Sequence, residues 1–233
     1  MSNEIIWGRL RACLVIIITN YSLLITNSAS AQTSWRDSLE ILNKAIRLNP
    51  NSTDLRLKKA AVNIELGQWE YAIEEYSRVL EIEPGHLSAL YFRAYVYNYL
   101  HRYELARYDY ETLLKNMPRH FEAQLGLAVV KRNMGRTVEA MDDFNQLVQM
   151  FPDSVLAYVA RAGFEVEQKQ YELAVYDWDR AISLAPANID YMVSKANALL
   201  CLKRKKEARR TLEQAVKIGA SKAALKEWFE RCR

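Results

Sequence analysis

The 233-residue chain is half hydrophobic, carries a formal net charge of +4 and holds only three histidines and three cysteines. That length buries a sizeable core. So few histidines and cysteines leave little material for a metal centre or a cysteine nucleophile, and attention moves to how the chain is organised.

The first 31 residues stand apart from the rest. Arg9 and Arg11 precede an apolar run from Leu14 to Ile18 that resumes at Leu23 to Ile25, and Ala29-Ser30-Ala31 supplies small residues at signal-peptidase spacing. This predicts a secretory signal over residues 1–31, with cleavage before Gln32 and a periplasmic or secreted product. The alternative is a membrane anchor through residues 10–25. The apolar stretch falls short of the ~20 residues of a spanning helix and is interrupted by Asn20. Cys13 precedes the apolar core, so lipidation there is not expected.

All five prolines, Pro50, Pro84, Pro118, Pro152 and Pro186, lie on one 34-residue grid. A fixed period of that length with helical text between its marks predicts stacked helix-turn-helix units. Residues 32–52 read as a half repeat, in which Trp35 to Leu48 has the text of a second helix. Five full blocks follow, 53–86, 87–120, 121–154, 155–188 and 189–222. In them Ala60, Ala94, Ala128, Ala162 and Ala196 form one column and Ala72, Ala106, Ala140, Ala174 and Ala208 another. Methyl-sized side chains in two columns mark where the two helices of a block approach closely. Tyr76, Tyr110, Phe144, Trp178 and Leu212 recur four residues after the second alanine, on one helical face. Trp69, Tyr103 and Tyr171 open the second helix of three blocks. Each proline stops a helix, and Ser52, Ser154 and Asn188 are placed to cap the next. The last block replaces its proline with Gly219-Ala220-Ser221. Lys222 to Arg233 then reads as one amphipathic helix with Leu225, Trp228 and Phe229 on one side, a cap over residues 223–233.

This pattern resembles the tetratricopeptide repeat (TPR) family, from Trp35 to Ser221. Trp69-Glu70-Tyr71-Ala72-Ile73-Glu74-Glu75-Tyr76 and Tyr171-Glu172-Leu173-Ala174-Val175-Tyr176-Asp177-Trp178 combine its opening aromatic and small residues, and the grid supplies its closing proline. Thr137, Lys205 and Ala220 depart from it. The resemblance implies an all-α, right-handed solenoid of TPR units with a C-terminal capping helix. It also implies a concave groove lined by the first helices and a role as a non-catalytic binding scaffold. The family's mode of holding a terminal carboxylate with Lys, Asn and Arg finds no counterpart, because the corresponding inner positions hold Leu57, Ala61, Phe92, Glu122 and Gly126.

Within that frame, Lys59 with Glu75, Arg93 with Asp109 and Arg161 with Asp177 are opposite charges set at one constant spacing that bridges the two helices of a block. They read as structural ion pairs. Leu127 with Asp143 and Lys195 with Thr211 lack the match. Cys201 and Cys232 fall on adjacent stacked helices if the last segment takes the place of the next block's first helix, and are either a disulfide or two free thiols. His86 and His120 share a column, but no convergent ligands accompany them as a transition metal requires. No cofactor is expected.

The expected site is the groove. Tyr91, Tyr95 and Tyr99 at four-residue spacing are read as an aromatic stripe, with Leu57, Leu125 and Val129 continuing an apolar floor for an extended peptide or amphipathic helix. Charge adds a second surface. Residues 32–188 hold 18 Lys and Arg against 22 Asp and Glu, a net −4, whereas residues 189–233 hold 12 against 5, a net +7. Lys203, Arg204, Lys205, Lys206, Arg209 and Arg210 form a candidate patch for an anionic partner or membrane surface. Nucleic acid is disfavoured, because the basic run lacks interleaved aromatics.

Overall fold

The computed structural model describes residues 29–233, with side chains from Ser34 onward. The signal expected over residues 1–31, and the anchor alternative through residues 10–25, lie outside these residues except where α1 begins. Twelve helices and no strand are found among the described residues. A lone helix, α1 (Ala29–Leu48), precedes five pairs. These are α2 (Thr53–Glu65) with α3 (Trp69–Ile82), α4 (Leu87–Tyr99) with α5 (Tyr103–Asn116), and α6 (Phe121–Asn133) with α7 (Thr137–Met150). They continue with α8 (Val155–Glu167) and α9 (Tyr171–Leu184), then α10 (Ile189–Cys201) and α11 (Lys205–Lys217), and α12 (Lys226–Arg231) ends the chain. The chain divides into two compact units, one running up to Ala140 and the other from Met141, so the division falls inside α7.

The turn inside every pair is the same device. Gly67, His101, Gly135, Lys169 and Lys203, one per repeat at equivalent positions, all take positive φ between 59° and 74°. Gly67 N–H donates to Ile64 C=O at 2.9 Å and Gln68 N–H to Asn63 C=O at 2.8 Å, and the same two bonds recur in the other four turns. This is the Schellman closure, which satisfies the last carbonyls of the first helix while reversing the chain.

The starts of the first helices are capped by unlike side chains. The Ser52 hydroxyl accepts from Leu55 N–H, and Asn188 Oδ1 accepts from Asp190 and Tyr191 N–H. Ser154 stands at the cap position of α8 but makes no side-chain cap bond, correcting one expectation. At α4 and α6 the cap is a histidine. His86 Nδ1 accepts from Ala89 N–H at 3.3 Å and His120 Nδ1 from Ala123 N–H at 3.2 Å. The shared histidine column is thus a capping column.

Both alanine columns are fully buried, every member at 0% exposure. Around them the large side chains fit pair by pair. Tyr76 stacks on Phe92 at 6.1 Å, whereas the Tyr110 ring fills the space left by Gly126, where a Cβ would come within 2.5 Å of Tyr110 Cζ. In the second unit Phe144 meets Phe164 at 5.2 Å and Trp178 stacks on Tyr191 at 6.0 Å.

The two ends differ from the expectation. α1 starts at Ala29, well before Trp35, continuing as helix through the place where every pair has its turn, and none of its described side chains is fully buried. At the other end helix is confined to Lys226–Arg231, because Lys222 to Leu225 form turns closed by irregular bonds such as Lys226 N–H to Ala223 C=O. Leu225 is buried there, while Trp228 and Phe229 are half-buried.

Candidate functional site

In the first unit the faces of α2, α4 and α6 that turn away from the alanine contacts carry Leu57, Ala61 and Ile64, then Tyr91, Tyr95 and Asn98, then Leu125, Val129 and Arg132. The tyrosine stripe is not open in the way its spacing suggests. Tyr91 and Tyr95 are each 6% exposed, and only Tyr99 stands out at 46%. Four residues exceed a full helical turn by ~40°, so the stripe rotates by ~80° from Tyr91 to Tyr99. Tyr91 is turned in against Tyr110 at 6.0 Å and stacks on the capping His120 at 5.8 Å. Tyr99 lies against Trp69 at 4.2 Å. Leu125 and Val129 are buried, and Leu57 is half-buried against the core.

What the apolar floor does offer is a polar seam that sequence reading missed. Asn133 Nδ2 donates to Asn98 Oδ1 at 3.0 Å, joining α4 to α6, and Arg132 Nη2 donates to Asn133 Oδ1 at 3.1 Å. The two asparagines sit one step off the repeat grid, so no column brings them together. Only the helix-to-helix offset reveals them.

The ion pairs expected at one constant spacing are all formed, and they reach further than expected. Arg93 grips Asp109 through two bonds of 2.7 and 2.8 Å and donates a third to Ser77 Oγ at 2.9 Å. Arg161 grips Asp177 at 2.6 and 2.7 Å and donates to Asn145 Oδ1 at 3.0 Å. Each arginine therefore fastens its own second helix and that of the preceding pair. Lys195, with Thr211 in place of an acid on its own second helix, reaches back to Asp179 at 2.6 Å. Lys59 shares Glu75 with Arg56. Burial lifts the Asp109 carboxyl above its ordinary value, with Arg93 opposing.

Near the second of these pairs sits an acid with no counterpart. Glu165 is 4% exposed, its Oε2 has no hydrogen-bond partner and its Oε1 lies 3.9 Å from Arg161. Burial, reinforced by the Asp177 charge, raises its carboxyl to about 8.

The second helices also place large apolar side chains outward. Tyr71 and Tyr108 are exposed in the first unit, as is Leu105, which takes the Tyr71 position in the next pair. Leu173 and Tyr176 repeat the Leu105 and Tyr108 arrangement two repeats on. Arg102 holds Glu70 through two hydrogen bonds of 2.9 and 2.5 Å, tying the first turn of α3 to the start of α5. The six basic residues Lys203, Arg204, Lys205, Lys206, Arg209 and Arg210 are all exposed. Cys201 and Cys232 are free thiols, the first exposed and the second buried. No group of three metal-ligating side chains occurs among the described residues, and no helix among them is long and apolar enough to cross a membrane.

Paired helices closed by a shared turn, two alanine columns and a capped end define a helical-repeat protein. The tetratricopeptide repeat model matches residues 24–86 and 91–155, together more than half of the chain, and the chain belongs to that family. A tetratricopeptide repeat protein from Parabacteroides merdae is similar with a TM-score of 0.63 and 23% identity, over 87% of this chain and 79% of its own. MamA from Desulfovibrio magneticus RS-1 is similar with a TM-score of 0.59 and 20% identity, over 71% of this chain and 92% of its own. YrrB, a TPR protein with an unusual peptide-binding site, has a TM-score of 0.58 and 17% identity, over 78% of this chain and 93% of its own. At these identities the likeness is one of fold. No curated protein matches the chain.

Proposed function

We propose that this chain is an exported, non-catalytic scaffold that captures a protein or peptide partner on the inner faces of its first helices. The observation that carries this reading is the Asn98–Asn133 amide pair set into the apolar floor of the first unit. An extended segment needs partners for its main-chain groups and apolar ground for alternate side chains. The half-buried Asn133 and Arg132 supply the first need, and the half-buried Leu57 supplies the second. Tyr99, braced by Trp69, offers an aromatic with a polar tip at the edge of the same surface. A peptide-binding protein of the same fold, YrrB, supports the coarse reading.

Export rests on the basic, apolar and small-residue succession of residues 1–31, with cleavage before Gln32. N-terminal sequencing of the protein recovered from outside the cytoplasm tests it. A start at Gln32 supports the free form, and an intact Met1 end supports a membrane-tethered assembly factor instead.

Binding is tested by Leu57→Asp combined with Asn133→Ala, two positions that are not fully buried. Partner recovery on immobilised protein is expected to fall at least about tenfold, the counterpart of ~1.4 kcal/mol, with helicity retained. Unchanged recovery removes the inner face as the site.

A further inference from the structure

The outer faces of the second helices change sign along the chain. Equivalent positions in the first turn hold Glu70 in α3, Glu104 in α5 and Glu172 in α9, but Lys206 in α11. One turn on, Glu74, Tyr108 and Tyr176 give way to Arg210. Acids suit the N-terminal turn of a helix and cations do not, because the macrodipole places positive charge there. Lys205 and Lys206 thus stand where the fold's own electrostatics disfavour them, and Lys203 occupies a left-handed turn position at φ 61° that two other pairs give to glycine.

Several outward cations elsewhere are compensated, although Lys115 on α5 and Arg180 on α9, which lies over the Tyr158 ring, make no ion pair among the described residues. Arg78 pairs with Glu81, Arg107 with Glu104 and Glu111, and Arg136 with Glu139. On α11, Arg204 and Arg209 find Glu207 and Glu213. Lys203, Lys205, Lys206, Arg210 and Lys217 make no ion pair among the described residues. All five are exposed. Lys205, Lys206, Arg210 and Lys217 spread over the length of α11, ~20 Å at the usual helical rise, and Lys203 stands in the turn before it. Lys206, Arg210 and Lys217 lie opposite the buried Ala208, Thr211, Leu212 and Ala215, with Glu213 among them and paired to Arg209.

We propose that the outer face of α11 docks on an anionic bilayer surface. Charge complementarity commits the occupant. Cations without ion-pair partners along an exposed helix face, with Ile218 exposed at its end, match a broad field of headgroups. Clusters of four to eight Lys and Arg on an amphipathic helix are attracted by such a field and released as salt screens it. The inference stands apart from partner capture on the first helices.

The test is sedimentation of the full chain with neutral phosphatidylcholine vesicles and with vesicles in which phosphatidylglycerol replaces part of the phosphatidylcholine, each at low and at high NaCl. The wild type is expected to bind the anionic vesicles at least about tenfold better than the neutral ones, and high salt should abolish the difference. Lys203→Glu with Lys206→Glu and Arg210→Glu should remove the preference while leaving binding to neutral vesicles, which reports any contribution of residues 1–31, unchanged. The milder triple exchange to Gln guards against a folding defect, with helicity and Tm as controls. Equal wild-type binding to both vesicle types, or a preference that survives in both variants, overturns the proposal. So does tight binding of a poly-glutamate peptide without any vesicle preference, which would mark an acidic protein as the partner.

Discussion

Repeats 87–120 and 155–188 use one clamp in two settings. Arg93 binds Asp109 and Ser77 through three bonds of 2.7, 2.8 and 2.9 Å, and Arg161 binds Asp177 and Asn145 through three of 2.6, 2.7 and 3.0 Å. Besides Ser77 against Asn145, the clamps differ at the column where the first repeat has Tyr97 and the second has Glu165. Arg93 serves one carboxylate and lies 5.7 Å from the Tyr97 ring, whereas Arg161 faces two acids, one of which has an oxygen without a hydrogen-bond partner. The same device therefore holds a single carboxylate in one repeat and has a second, buried acid beside it in the other.

The largest expected effect breaks the clamp where it has no reserve. Asp109→Asn leaves the half-buried Arg93 without its counter-charge and should cost about 3–5 kcal/mol of unfolding free energy in urea titrations. Asp177→Asn should cost clearly less, because Glu165 is beside Arg161 and can ionise once the competing charge is gone. Equal losses would show that Glu165 does not take over.

Acidity separates the two settings next. Below pH ~4.5 the Glu165 carboxyl is protonated in both folded and unfolded chains and exacts no penalty. As pH rises from its ordinary value of 4.5 the unfolded chain releases the proton while the folded one holds it to about 8. Stability should fall across that window, by up to ~1.4 kcal/mol per unit, and level off above it. Glu165→Gln should flatten this slope, gaining about 2 kcal/mol on the parent between pH 6 and 8. Parallel curves would place the proton elsewhere.

Gly126 sharpens the comparison at the level of packing. An added methyl meets the Tyr110 ring, itself held by Tyr91, so Gly126→Ala should overpack the pair by roughly 1–3 kcal/mol. Better helix propensity returns up to ~1 kcal/mol. A net loss of about 1–2 kcal/mol is expected in thermal unfolding, and Tyr110→Leu in the same chain should recover part of it.

Much of this architecture was legible in the residues, because a 34-residue period projects contacts between equivalent positions onto columns. The alanine contacts, the aromatic openings at Trp69, Tyr103 and Tyr171, and the clamps at constant spacing all follow from it. Rotation about a helix axis is not fixed by a period. Tyr91, Tyr95 and Tyr99 therefore read as one open stripe, although the first two face the core. Contacts one step off the grid, such as Asn98 with Asn133, leave no column to read. The basic face of α11 is visible as composition, but which of its cations have ion-pair partners needs side-chain geometry.

The smallest effects lie in the turns, where the repeats divide again. Gly67 and Gly135 adopt the left-handed conformation without steric objection, and a Cβ at either would meet nothing within 4 Å. His101, Lys169 and Lys203 adopt it with a side chain attached. A residue other than glycine in that region carries ~1–2 kcal/mol of backbone strain, partly offset because it has less freedom to lose on folding. Gly67→Ala should therefore lower stability by about 1 kcal/mol with no packing contribution, and Lys169→Gly should raise it by about 0.5 kcal/mol. If Lys169→Gly destabilises instead, the lysine side chain supports its turn through contacts that outweigh the backbone cost. The non-glycine turns would then be as well adapted as the glycine ones.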